Sequence, residues 1–109
     1  MFKIVHNPTF KHLVEVSVPV DGGFAKQSFT GHFRVLSDNE LESHKTDSLA
    51  NIKDYVRAFF IGWDDIVDDE KNHLPYSESL RERLIGVPYV RRALIDTYTA
   101  AMVGAKRGN

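Results

Sequence analysis

A run of acids and five scattered histidines are the residues of this 109-residue chain most able to do chemistry. Asp64, Asp65, Asp68, Asp69 and Glu70 crowd one short stretch, and a hard cation takes roughly six to eight oxygen ligands. A calcium loop of the EF-hand kind also needs a central glycine and a closing glutamate at set positions, and no glycine lies between Asp64 and Gly86. Charge runs are mostly solvated surface, so the stretch reads as a helix end and turn in water. His6, His12, His32, His44 and His73 contain no His-x-x-x-His pair and no His-Glu-x-x-His helix, the spacings that set imidazoles around zinc. With no cysteine there is no thiolate ligand, thiol nucleophile or disulfide. The serines form no Gly-x-Ser-x-Gly elbow, and no Gly-x-x-x-x-Gly-Lys loop cradles a phosphate. Gly31, inside an alternating run, reads as a point of close packing or a bulge. The expectation is a chain with no catalytic residues, no metal site and no cofactor.

Charge narrows the partners. Fourteen Lys and Arg stand against fifteen Asp and Glu, for a formal net charge of -1. Nucleic-acid binders draw most of their affinity from phosphate contacts and usually carry a basic excess. No apolar run approaches the roughly 20 residues that span a bilayer. The first residues lack a signal peptide's long apolar region. Binding to nucleic acid or membrane is therefore not expected, and the chain reads as cytoplasmic.

Periodicity divides the chain into a strand-forming part and a helical part. Val14, Val16, Val18 and Val20 alternate with polar or proline residues, which places them on one strand face. Asp21-Gly22-Gly23 signals a turn, and Phe29, Gly31, Phe33 and Val35 then share a face of the returning strand. Phe2–Val5 offers a short third strand. Ser37 with Glu40 three residues on forms a capping box for a helix over Asp38–His44, and Thr46 or Asp47 is placed to cap the next. At about 100° per residue, Leu49, Ile52, Tyr55, Val56, Phe59, Phe60 and Trp63 fall on one face, so the spacing predicts a helix that ends near Gly62. Ser77 caps a short helix with Leu80 and Leu84 that Gly86 ends. Pro88 suits the first turn of a last helix, over 88–103.

The expected fold is α+β: one domain over 1–109, with a β-hairpin region (1–36), possibly three-stranded, packed on a region of about four helices (37–104) and followed by a polar tail (105–109). The expected core is Val14, Val16, Val18, Phe29, Phe33, Leu49, Ile52, Val56, Phe59, Phe60, Trp63, Leu80, Leu84, Val90 and Leu94. The last helix is unusual. Its apolar residues sweep roughly 220°, where one core needs a little more than about 100°. Arg91 interrupts that arc, and Ile95 and Met102 lie at its edge. Two readings stand side by side: these residues pack on the Ser77–Gly86 helix, or Arg91, Ile95, Tyr98 and Met102 contact another chain.

The order of these features resembles the tail assembly chaperones of long-tailed bacteriophages. The resemblance runs from Asn7-Pro8-Thr9-Phe10 and the valine-rich strand, through Phe60-Ile61-Gly62-Trp63-Asp64-Asp65-Ile66, Leu74-Pro75-Tyr76-Ser77, Leu80 and Leu84, to Val87-Pro88-Tyr89, Ala93-Leu94-Ile95-Asp96-Thr97-Tyr98 and the tail Gly104-Ala105-Lys106-Arg107-Gly108-Asn109. It implies a non-catalytic role: binding the tape measure protein, helping to recruit tail tube subunits in the host cytoplasm, and absence from the mature virion. It is compatible with self-association. A structural tail or connector protein is the alternative. A small regulator holding nucleic acid through Arg81, Arg83, Arg91 and Arg92 is a weaker one.

Overall fold

The computed structural model describes residues 1–104, and the 105–109 tail lies outside the described residues. Two strands, β1 (Thr9–Val20) and β2 (Gly23–Arg34), pair antiparallel from Thr9↔Arg34 to Val20↔Gly23 without a break in register. They are joined at Asp21-Gly22, where Gly22 takes a φ of 78° that costs glycine little. α1 (Asp38–Ser43), α2 (Leu49–Phe59), β3 (Phe60–Asp64), α3 (Glu78–Ile85) and α4 (Pro88–Met102) follow. The sheet order is β1-β2-β3, so the fold is α+β, with helices covering one face of a three-stranded antiparallel sheet.

The third strand is not Phe2–Val5, which is exposed and outside any strand. It is β3, inside the segment that periodicity reads as helix. α2 stops at Phe59, and Gly62 and Trp63 belong to the strand that follows directly. The reason for the misreading is geometric. Phe33 opposes Phe60 while His32 opposes Gly62, so Ile61 is an extra residue and β3 is bulged there. The bulge turns Phe60 and Trp63, three residues apart, toward the same side. Both are buried. Spacing by three is the helical signature, and here a strand reproduces it.

The core is aromatic and lies between sheet and helices. Val14, Val16, Phe29, Phe33, Val56, Phe59, Phe60, Trp63, Val90 and Leu94 are buried, with Leu36, Ile85, Ala93 and Tyr98. Val18, Leu80 and Leu84 are partly buried against them. Leu49 does not belong to this group: it is 54% exposed, and Ile52 is only half-buried. The buried residues of α2 are Val56 and Phe59, both in its C-terminal half, so its first turns extend past the core. Burial also fades along β1, from Val14 to the half-exposed Val20 near the hairpin turn. Gly31 is a point of close packing, because a Cβ there would lie 2.7 Å from the Phe33 ring and 3.0 Å from Val14.

The caps hold the helix starts. The Ser37 hydroxyl accepts from Glu40 N–H while Glu40 accepts from Ser37 N–H, closing the capping box. The cap of α2 is Ser48, one residue beyond Asp47, and Ser77 caps α3. Val87 precedes Pro88, the first residue of α4, without a side-chain cap. Glu40 also takes a two-pronged contact from Arg34, at 3.1 and 2.8 Å, which ties α1 to the end of β2. That guanidinium, followed by the Ser37 N–H, holds the Glu40 carboxyl down at about 2 against an ordinary 4.5. A depressed carboxyl contributes stability above its unfolded value and loses it as pH falls toward the folded one. Stability against urea should therefore fall from pH 4.5 to about 2 more steeply in the native chain than in Glu40→Gln. Equal slopes would contradict the assignment.

Candidate functional site

The four residues of α4 expected to meet a partner separate in the structure. Tyr98 is 3% exposed and belongs to the core, not the surface. Its ring stacks on Phe59 with centroids 4.1 Å apart and planes 6° from parallel. Its hydroxyl accepts the buried N–H of Leu36 at 2.9 Å, satisfying the backbone where the chain leaves the sheet. Arg91 is turned inward to donate to the Ile85 carbonyl at 3.0 Å, which holds the end of α3 against the start of α4. Ile95 is partly buried against the core. Only Met102 is exposed, at 42%. The wide apolar arc is thus mostly explained by burial: α4 packs on β1, α3 and α2 at once, and contact on several sides needs more apolar surface than contact on one.

An apolar groove elsewhere is the better candidate. It has a volume of about 360 Å³ and opens where the helices cease to cover the distal half of the hairpin. Val16, Val18 and Phe29 form its floor, Ile66 and Val67 one wall, and Leu84, Val87, Tyr89 and Val90 the other. Each wall has a local cause. After β3 the chain turns at Asp65, whose φ of 69° is one that aspartate tolerates better than most residues. The next segment is held by Leu74 N–H donating to the Ile66 carbonyl at 2.8 Å and by a bridge between Val67 and His73. Trp63 Nε1–H donates to the Leu74 carbonyl at 2.8 Å and fixes the returning strand of the loop from below. The opposite wall is the α3–α4 junction, anchored by Arg91. Val67 and Tyr89 form the exposed rim, at 44% and 39%, while Gln27, Ser28 and Asp65 supply polar groups at the border. An apolar floor with few polar groups is what helix-in-groove recognition uses.

The acidic stretch ends β3 and enters the loop after it rather than ending a helix, and two of its carboxylates hold local structure. The Asp68 carboxylate accepts from the N–H groups of Glu70 and Asn72, both at 2.9 Å, and these bonds lower its pKa. Asp64 accepts from His32 Nε2 at 2.9 Å across the solvent face of the sheet, and that bond lowers it too. Among the described residues no group of three or more His, Asp or Glu is placed to share a metal ion. The arginines are largely occupied. Arg57 grips Glu82 at 2.7 Å through two nitrogens and also binds Asp54. Arg81 lies 3.4 Å from Glu82, and Arg92 3.2 Å from Asp96. No helix among the described residues is long and apolar enough to cross a membrane.

Sequence reasoning missed the groove because its lining comes from four separate segments, each ordinary on its own. No spacing or motif in the sequence joins those segments.

Removing the Tyr98 hydroxyl leaves the Leu36 N–H buried without a partner, which costs about 1–3 kcal/mol. Tyr98→Phe should lose that much in equilibrium urea unfolding, and Met102→Glu should lose less than about 0.5 kcal/mol, as exposed positions do. The opposite ranking would return Tyr98 to the surface.

No protein-family model, curated protein or solved structure matches the chain.

Proposed function

We propose that this chain is a tail assembly chaperone of a long-tailed bacteriophage. It binds the tape measure protein, keeps that long helical chain soluble in the host cytoplasm, helps recruit tail tube subunits, and is absent from the finished virion. The role is one of binding and release, without chemistry. The observation that carries the proposal is the open apolar groove beside a core that is already complete. A small domain that has satisfied its own core and still leaves Val67 and Tyr89 exposed beside the partly buried Val18 has surface available for a client. An amphipathic helix fits such a groove by inserting residues spaced at i, i+3 and i+4, and the tape measure protein is a helical client of that kind. The resemblance of the segments around Trp63, Pro75-Tyr76-Ser77 and Pro88 to the chaperone family supports the same reading, and these are the segments that wall the groove or brace it.

Co-expression with the tape measure protein tests the proposal. Val67→Glu and Tyr89→Glu place charge on the exposed rim, so the fold should stay within about 0.5 kcal/mol of the native chain while the tape measure protein leaves the soluble fraction. Met102→Glu should leave it soluble. A soluble client in both rim variants would contradict the assignment of the groove, and loss in Met102→Glu instead would move the contact to α4.

A further inference from the structure

β1 is an edge strand of twelve residues, and among the described residues nothing pairs to its outer side. Long free edges invite pairing with another chain, and proteins usually block them with proline, charge or short length. The direction of the backbone groups is fixed by one bond: Val35 N–H donates to the Pro8 carbonyl at 3.0 Å. Residue 8 therefore points toward β2, and because the register runs unbroken, the odd-numbered residues Thr9 to Pro19 point outward. Two observations agree. Pro19, which has no N–H to offer, falls on the outward set. Among the described residues the outward carbonyl of Leu13 is met only by the neighbouring His12 ring, Nδ1 lying 2.8 Å away.

We propose that this edge pairs with β1 of a second copy, antiparallel about a two-fold axis through Leu13, to give a continuous six-stranded sheet. Charge selects the register. With Leu13 opposite Leu13 of the second copy, Lys11 faces Glu15 and Glu15 faces Lys11, and opposite charges directly across a strand pair are favourable. Shifting the axis to residue 11 sets Lys11 against itself, and shifting it to residue 15 sets Glu15 against itself. An axis at residue 14 brings Pro19 opposite Thr9 at both ends of the ladder and forfeits a hydrogen bond at each. The Leu13 register pairs Thr9 through Ser17 and leaves Pro19 just outside, where it stops the ladder. Leu13, 53% exposed on the solvent face, is covered by its own copy. Among the described residues Glu15 has no ion pair, and Lys11 has only a long, exposed one to Asp64 at 3.7 Å, leaving its other donors for Glu15 of the second copy. An axis normal to the sheet keeps both helix layers on one side, so both grooves stay open. The inference does not depend on the identity of the client.

The chain has no cysteine, so one introduced thiol reports the register directly. Residues on the axis lie about 5.5 Å apart in a hydrogen-bonded pair, inside the roughly 4.4–6.8 Å a disulfide spans. Residues at 17 are separated by about 25 Å or more at the strand rise. Mild oxidation of the full chain should cross-link Leu13→Cys into a dimer and leave Ser17→Cys monomeric. Sedimentation should show a dimer for the native chain and a dissociation constant raised at least tenfold in Lys11→Glu and in Glu15→Lys. The double exchange, Lys11→Glu with Glu15→Lys, should restore the dimer, which loss of folding in a single variant could not explain. A native chain that is monomeric at high concentration, cross-linking at residue 17 in place of 13, or a double exchange no tighter than the singles would overturn the proposal.

Discussion

Tyr98 closes the structure. Its ring lies flat on Phe59 of α2 and within 6.2 Å of Phe33 of β2 and 6.3 Å of Phe10 of β1, so one side chain of α4 touches three elements. Aromatic pairs of this kind contribute about 0.5–1.5 kcal/mol each beyond the area they bury. Its hydroxyl adds a constraint that packing alone cannot supply, since the Leu36 N–H has left the sheet and is buried. Burial also raises the pKa of the neighbouring Tyr55, with Tyr98 reinforcing the shift. The position of α4 over the sheet follows from this contact, and with it the α3–α4 junction that forms one wall of the groove. The residue expected on a partner-facing surface is instead one that sets a wall of the groove.

Much of the architecture could be read from the sequence where local chemistry decides it. The alternating valines, the Asp21-Gly22 turn, the Ser37–Glu40 box, the Ser77 cap and Pro88 at a helix start each depend on a few adjacent residues. Two features could not be read in this way. β3 hides behind the bulge at Ile61, because an extra residue in a strand converts a period of two into a step of three. The role of Tyr98 rests on a partner 62 positions away, and nothing in the helix itself separates an apolar residue facing several neighbours from one facing a client. The groove was still less visible, since its lining is assembled from β1, β2, the loop after β3 and the α3–α4 junction.

Charge in this chain mostly holds elements in place. Arg34–Glu40 joins the sheet to α1, Arg57–Glu82 joins α2 to α3, and Arg91 closes the α3–α4 corner. These contacts are partly exposed, so each stabilises modestly, but they fix the helices that frame the apolar surface. The Lys11 and Glu15 pair on the edge of β1 is arranged differently, in that neither finds a close partner among the described residues. The surfaces proposed for a client and for a second copy are thus different, the groove on the helix side and the outer edge of β1.

The folded core is complete without a partner, and the groove is the surface proposed to receive one. Amide hydrogen exchange, measured on the chain alone and then with the tape measure protein, tests it most directly. The account predicts slow exchange at Phe33, Leu36, Phe59 and Tyr98 in both states, with new protection confined to Ile66–Val67 and Val87–Tyr89 when the client binds. New protection along the outer side of α4 around Met102 with the groove unchanged, or a core that becomes protected only with the client, would contradict it.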